Sequence, residues 1–276
     1  MNKKLFLIKE HLTSYGLTLV KDDSYIKWAY KELYKKKLAK TKIQKLFLLR
    51  KKMKNSTYKN KLIFYKFVSQ EKEFLKVIHS YKFNAILYSC YNIINEISEC
   101  NNLLDFGCNS GYLTSFYSKY FYNANVVGFD ICVNSIKQAN LIAKKYNNLK
   151  FISKYNKLTD NFYDVLFDTQ CLATINNKLV LRKALSEVYK KTKKTVKIIS
   201  ISPFNTEKEI NDFIYEMNNF NFYLTKYQPI FFDSYLDKEV LTKFIFEKQN
   251  IKCRFSPQKY FEGIRKRLNT YDQVEN

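Results

Sequence analysis

The chain has 276 residues, 46% of them hydrophobic and 17% aromatic, a composition that buries a core and excludes a disordered chain. Its formal net charge of +23, with Lys outnumbering Arg by 43 to 5, points either to a polyanionic partner or to the codon bias of an AT-rich genome. Six cysteines with no CxxC or zinc spacing, and only two histidines, His11 and His79, exclude a structural metal and predict reduced thiols in the cytoplasm.

In chain order, Met1-Asn2-Lys3-Lys4 followed by Leu5-Phe6-Leu7-Ile8 has the start of a signal peptide, but Lys9, Glu10 and His11 end the apolar run after four residues. No stretch is long enough to span a bilayer. From Ser24 to Met53, Ile26, Tyr30, Leu33, Tyr34, Leu38, Ile43, Leu46, Phe47 and Leu49 recur at helical steps, predicting one helix or a pair with an almost wholly lysine outer face. Asn55-Ser56-Thr57 is the expected break. Further helix is expected from Glu71 to Ile97, with Phe74, Val77, Ile78, Tyr81, Ile86, Tyr88, Ile93 and Ile97 on its buried side. The positive charge belongs to this first part of the chain. Residues 1–66 hold 19 Lys and Arg against 4 Asp and Glu, a net of +15, which leaves +8 for the remaining 210.

From about residue 100, short β-branched runs alternate with helical stretches, the pattern of a parallel α/β sheet. Strands are predicted at Asn102 to Phe106, Asn125 to Asp130, Leu149 to Ser153, Tyr163 to Asp168 and Thr195 to Ser202. The intervening helices run from Tyr112 to Tyr120, Asn134 to Lys145, Lys178 to Lys190 and Glu207 to Asn218. Beyond Phe220, the runs 222–227 and 241–247 have no crossover helix between them, which predicts an antiparallel hairpin on the sheet edge.

Only five glycines occur, and three fall together at Gly107, Gly111 and Gly128. The first two lie in Leu103-Leu104-Asp105-Phe106-Gly107-Cys108-Asn109-Ser110-Gly111-Tyr112, an apolar strand that stops at an acid and enters a loop of small residues. This is how a buried strand brings a nucleotide-like ligand to a helix N-terminus. About twenty residues later, Val126-Val127-Gly128-Phe129-Asp130 again ends a strand in a carboxylate, at the distance expected for a ribose contact. A dinucleotide fingerprint counted from Gly107 needs glycine at 109 and 112, where Asn109 and Tyr112 stand. No Gly-Lys-Ser/Thr completes a phosphate loop either.

These residues resemble the class I S-adenosylmethionine-dependent methyltransferases, whose first motif is an acid followed by glycines at alternate positions. Asp105, Gly107 and Gly111 match it, with Asn109 in place of the middle glycine. Asp130 fits the family's ribose-binding acid, the run 160–167 resembles the entry to its fourth strand, and the terminal hairpin matches its topology. The resemblance covers about residues 70–250. It implies a Rossmann-like, mostly parallel seven-stranded sheet with a C-terminal antiparallel hairpin, preceded by a helical region. The implied organisation is a basic helical region (1–70), an S-adenosylmethionine-binding domain (71–250) and a basic C-terminal tail (251–276). The implied cofactor is S-adenosyl-L-methionine, held by Asp105, Gly107, Cys108, Asn109, Gly111, Tyr112, Asp130, Ile131 and Asn156. On this reading Asp105 meets the cofactor's amino group, Asp130 the ribose hydroxyls, and Asn156, chosen over Tyr155, the adenine. Asn at 109 is compatible with the loop because it tolerates positive φ.

Asp168, expected to end the fourth strand at the rim where such sheets bind their acceptor, is the catalytic candidate; the alternative is that it caps the next loop. Cys108 and Cys132 read as packing residues. Cys171 lies in a loop similar to that of RNA cytosine-5 methyltransferases, but Ile201-Ser202-Pro203-Phe204 lacks the second cysteine of that family, so Cys171 reads as structural. Three functional readings are open. The N-terminal helices hold RNA or an acidic protein for methylation; or they form a lid over a small-molecule acceptor; or the domain is a degenerate binding module.

Overall fold

The computed structural model describes residues 2–20, 25–54, 58–233, 238–248 and 254–274. Six helices come first: α1 (Lys3–Ser14), α2 (Tyr25–Lys35), α3 (Lys40–Lys54), α4 (Tyr58–Val68), α5 (Lys72–Tyr81) and α6 (Phe83–Glu96). The apolar stretch from Ser24 to Met53 is thus a helix pair, with Leu33, Ile43 and Leu46 buried and Tyr34 turned outward. The expected break at 55–57 lies outside the described residues. The helix expected from Glu71 to Ile97 is present as two segments, α5 and α6. Lys82 leaves helical geometry at φ −95°, ψ 17°, and the turn is needed because the two halves bury different faces. Phe74, Leu75 and Ile78 of α5 join Leu33, Leu46 and Phe64 in a separate helical core, while Phe83, Cys90 and Ile93 of α6 pack against the sheet with Ile8 and Leu12 of α1.

The sheet follows in alternation: β1 (Asn102–Phe106), α7 (Tyr112–Tyr120), β2 (Asn125–Phe129), α8 (Val133–Ala143), β3 (Leu149–Ile152), β4 (Tyr163–Thr169), α9 (Lys178–Lys191), β5 (Thr192–Ser202), α10 (Glu207–Asn219), β6 (Tyr223–Asp233), β7 (Lys238–Glu247) and α11 (Pro257–Val274). The seven strands lie in the order β3-β2-β1-β4-β5-β7-β6. The first five are parallel, and β7 runs antiparallel to both β5 and β6. All five residues of β1 are buried, as a central parallel strand covered on both faces requires. One face is covered by α1, α6, α7 and α8 and the other by α9, α10 and α11. The segment expected as a tail therefore contains a docked helix. Tyr260 and Ile264, one turn apart, are buried against the sheet, and the Tyr260 hydroxyl lies 2.7 Å from Thr242 Oγ1. Among the described residues, no helix is long and apolar enough to cross a membrane.

Register brings the functional edge together. Phe106 at the end of β1 pairs with Phe129 of β2 on one side and Asp168 of β4 on the other, so three consecutive strands release their loops at one edge, beside the reversal of strand order where such sheets bind ligands. Packing at this edge is tight. A Cβ on Gly128 would lie 2.4 Å from the Phe151 ring and 2.9 Å from Cys108 Sγ. Gly128→Ala is therefore expected to cost about 1–3 kcal/mol in denaturant unfolding, as overpacked cores do, and the second change Phe151→Leu should recover part of that loss.

Candidate functional site

The loop after β1 is bound to the end of β2. The N–H groups of Gly107 and Cys108 both donate to the Phe129 carbonyl, at 2.7 and 3.0 Å, and the Asn109 N–H donates to Asp130 Oδ2 at 2.9 Å. Following that path demands left-handed backbone at three alternate positions: Gly107 (φ 84°), Asn109 (φ 50°) and Gly111 (φ 78°). Glycine and asparagine are the residues that adopt it at least cost. Space is a second reason for the glycines. A Cβ on Gly107 would lie 2.5 Å from Cys171 Cβ, and one on Gly111 would lie 2.4 Å from the Phe151 ring.

Above this loop lies a cavity of about 480 Å³, within the usual range for ligand sites, roughly 300–1,000 Å³. Its floor is sheet: Asp105, Gly107, Cys108, Asn109 and Tyr112, with Asp130 and Ile131 after β2. Its roof is helical: Lys61, Leu62 and Tyr65 of α4, Ile78 and His79 of α5, then Lys82 and Ile86. The roof is fastened on both sides. On the α8 side Gln138 Nε2 donates to the Ser69 carbonyl at 2.8 Å, and Ser69 Oγ lies 3.1 Å from Cys132 Sγ. On the β4 side Lys61 Nζ donates to the Thr174 carbonyl at 2.8 Å and Lys82 Nζ to Gln170 Oε1 at 3.0 Å.

Four polar atoms of cavity-lining residues, Asn109 Oδ1, Ser135 Oγ, Thr169 Oγ1 and His79 Nδ1, are buried with no hydrogen-bond partner. Such orphans are few in native proteins, and each costs about 1–3 kcal/mol unless a ligand or water meets it.

The two cavity carboxylates differ in their anchoring. Asp130 accepts from Asn109 N–H and, at 2.7 Å, from Cys132 N–H. Burial raises its pKa while these two bonds oppose the rise. Asp105 is 4% exposed and accepts one hydrogen bond, from Thr114 Oγ1 at 2.6 Å. Burial, reinforced by the charges of Asp130 and Asp168, pushes its pKa up to about 7 against the Thr114 bond. The His79 imidazole, edge-on to the Tyr112 ring at 5.4 Å, is pushed down to about 4 by burial and the neighbouring Lys82, and is neutral near pH 7. Burial, with nearby carboxylates, raises the Cys108 and Cys171 thiols well above their ordinary range, as fits packing residues rather than nucleophiles.

Three sequence candidates stand outside the cavity wall. Gly111 caps α7 behind the loop. Asn156 is exposed on the outer side of the short turn Tyr155–Lys157; it is Tyr155 that lines the cavity, because its ring packs on Phe129 at 4.5 Å. Asp168 is fully buried. Its Oδ1 accepts from Cys171 and Leu172 N–H at 3.0 and 2.8 Å and its Oδ2 from Ser200 Oγ at 2.7 Å. Both oxygens are thus engaged in capping the loop after β4, and burial raises its pKa to about 6.

Sequence reasoning missed His79, Lys61, Lys82, Tyr65 and Gln170. The last carries a signal only in its backbone, a left-handed φ of 57° in a residue other than glycine. His79 was legible as a polar residue beside Ile78 on the buried side of its helix. Among the described residues, no cluster of His, Cys, Asp and Glu is suited to a metal ion.

Residues 97–222 match the family model described as a methyltransferase domain. No curated protein matches the chain in sequence. Among solved structures the chain is similar to the N-methyltransferase NodS from Bradyrhizobium japonicum in complex with S-adenosyl-L-homocysteine, at 12% identity over 60% of this chain and 85% of that one, with a TM-score of 0.47. It is also similar to the Burkholderia thailandensis 1,6-didemethyltoxoflavin-N1-methyltransferase, at 13% identity over 58% and 77% of the two chains, TM-score 0.46. A third similarity is to a methyltransferase from Methanosarcina mazei, at 14% identity over 56% and 95%, TM-score 0.46.

The buried Asp105 carboxyl has a direct consequence for stability. With a folded-state pKa of about 7 against an ordinary 3.8, the folded protein holds this proton more tightly than the unfolded chain, so its stabilising contribution is full below about pH 4 and is lost as pH rises to about 7. Asp105→Asn, which keeps an acceptor for Thr114, should melt above wild type at about pH 8. The gap should narrow as pH falls to about 5; a gap that is constant across this range would mean that Asp105 is ionised throughout.

Proposed function

We propose that the chain, whose residues 97–222 match a methyltransferase-domain model, binds S-adenosylmethionine and transfers a methyl group from it to a small molecule admitted beneath the helical roof. The observation that carries this reading is the inward face of α4 and α5. Lys61, Leu62, Tyr65 and His79 line the same cavity as the glycine loop, so an acceptor reaching the loop is enclosed by these helices. This arrangement favours a lid over the expectation that residues 1–66 hold RNA or an acidic protein, because a macromolecule needs an open approach to the edge of the sheet.

The residues present fit the cofactor. The left-handed loop leaves backbone free to approach a ligand, and four orphaned polar atoms belong to residues that line the cavity. Asp130 would hold the ribose hydroxyls, with Ile131 and Tyr155 against the purine and Asp105 near the amino group. Bound there, S-adenosylmethionine would supply an electrophilic methyl group for an in-line displacement. The chain contributes alignment and exclusion of water, which account for much of the acceleration available to a displacement of this kind. His79, uncharged near pH 7, offers a hydrogen-bonding partner to a cavity that must accept a sulfonium, without adding a like charge. Asp168 acts as a positioning residue on this reading, holding the loop that contains Gln170 and Cys171.

Calorimetry of the full chain with S-adenosylhomocysteine is the first test. Saturable binding is expected, weakened roughly 10- to 100-fold by Asp130→Ala, the loss of one or two charge-assisted hydrogen bonds. No saturable binding to wild type would sink the proposal. Affinity should also rise with pH through about 7, because the cofactor's ammonium favours the ionised form of Asp105 and binding then releases a proton. Calorimetry in buffers of different ionisation enthalpy reads that proton directly. Label from tritiated-methyl S-adenosylmethionine should appear in the metabolite fraction of a cell extract; label confined to RNA or protein would refute the small-acceptor reading.

A further inference from the structure

A second cavity, of about 530 Å³, adjoins the first. It lies over the end of β5, between the turn at Lys82 and the terminal hairpin, and the two cavities have just two wall residues in common, Lys82 and Gln170. Those two side chains are hydrogen-bonded to each other at 3.0 Å, so a single polar contact forms the partition. The rest of the second wall mixes polar residues, Ser80, Asn84 and Asn205, with an apolar side made of Phe204, Phe232, Val240 and Leu241 from the sheet edge and Leu19 and Val20 from the chain after α1. Lys82 is its one charged lining residue, and no carboxylate lines it among the described residues.

A half-buried ammonium whose observed partner is a neutral amide is poorly compensated, since burial of a charge is offset best by an opposite charge. Gln170, the amide partner, is held in left-handed backbone, with its N–H fixed to the Ile201 carbonyl at 2.9 Å. Its side chain is thereby presented at the partition rather than left to find its own orientation. The two carboxylates of the first cavity, Asp105 and Asp130, lie on the sheet floor and are assigned above to the cofactor. The excess positive charge falls on the roof side, at Lys82.

We propose that the second cavity admits the acceptor before it passes beneath the helical roof, and that it takes a small carboxylic acid with an apolar body, the body among Phe204, Phe232 and Leu241 and the carboxylate on Lys82. Arrival of the carboxylate replaces Gln170 Oε1 as the partner of Lys82 and opens the partition toward the first cavity, so that acceptor and cofactor meet only when both are bound. Lys82 is a specificity-determining residue here, at the wall that the two cavities share. The inference rests on the assignment of the first cavity to S-adenosylmethionine.

The test uses the full chain loaded with S-adenosylhomocysteine and a panel of small carboxylates (3-phenylpropanoate, hexanoate and 4-hydroxybenzoate among them), each beside its uncharged amide, with affinities read by ligand-detected NMR titration. At least one carboxylate should bind about tenfold or more tighter than its amide, the value of a charge-assisted hydrogen bond. Lys82→Met should bring the pair to within about twofold of each other, and Lys82→Arg should keep the preference. Leu241→Trp, which fills the second cavity from the side away from Lys82, should lose the carboxylate and keep S-adenosylhomocysteine; it also serves if a Lys82 variant fails to fold. Equal binding of every carboxylate and its amide overturns the proposal, as does a preference that survives Lys82→Met or Leu241→Trp. Loss of S-adenosylhomocysteine affinity in Lys82→Met with the preference intact would assign Lys82 to the cofactor's own carboxylate instead. Failure of wild type to bind S-adenosylhomocysteine strikes the earlier reading, and this one with it; binding of S-adenosylhomocysteine with no carboxylate preference strikes this inference alone.

Discussion

The whole functional edge depends on one joint, the end of β2 acting as acceptor for the loop that leaves β1. The Phe129 carbonyl takes two N–H groups and Asp130 takes a third, from Asn109, so the loop has little freedom left. The joint dictates the left-handed conformations at 107, 109 and 111, and these dictate glycine or asparagine there. It also leaves gaps that neighbours fill: Phe151 of β3 occupies the space beside both Gly111 and Gly128, and Cys171 of the β4 loop occupies the space beside Gly107. Three loops from three strands are thereby packed into one surface, and a change in any of them is felt by the others.

A surface so built is expensive in electrostatic terms. Burial raises the pKa of three carboxyls at one sheet edge, Asp105, Asp130 and Asp168, and the charges of the latter two add to the rise at Asp105. They are compensated unequally. Asp168 takes two N–H groups and a hydroxyl, Asp130 takes two N–H groups, and Asp105 takes one hydroxyl. The least satisfied of the three borders the cavity, and its pKa near 7 means that its charge state answers to whatever cation enters. Asp168, ending the next strand, belongs to the loop rather than to the cavity because its lone pairs are already taken.

Much of the fold was legible because the signals were local. β1 and α7 lie at the expected residues, since an all-buried parallel strand and an amphipathic helix leave period and composition patterns that need no tertiary knowledge. Elements were misjudged where tertiary contact decided them. The helical stretch expected over 71–97 is interrupted at Lys82, a residue with no breaker character, because α5 and α6 serve different cores. The terminal segment reads as a basic tail by composition, yet Tyr260 and Ile264 dock it on β7 and its neighbours. The same limit applied to the site. The glycine loop and Asp130 announced themselves by spacing, whereas the roof residues His79, Lys61 and Lys82 come from a region more than twenty residues upstream of the loop and carry no motif. Tyr155 and Asn156 were adjacent candidates, and only the packing of one ring on Phe129 separates them.

The lysine excess can now be divided by location instead of by count. Lys35, Lys36, Lys37, Lys51 and Lys52 on α2, α3 and their connection are exposed, and at such positions a lysine costs little and is easily accumulated by biased codon usage. Lys61 and Lys82 are different. Each is part-buried, borders the first cavity and gives its ammonium to a neutral oxygen, and burial lowers the pKa of Lys61, with the charge of Lys82 adding to the effect. Codon bias supplies lysines without regard to where a fold will bury them, but a buried ammonium penalises folding unless an anion repays it. The persistence of two part-buried ammonium groups on the roof, opposite two carboxylates on the floor, gives the enclosed space a polarity of its own. An occupant that is cationic at one end and anionic at the other, or two occupants of opposite charge, matches that polarity; a uniformly anionic nucleic acid does not.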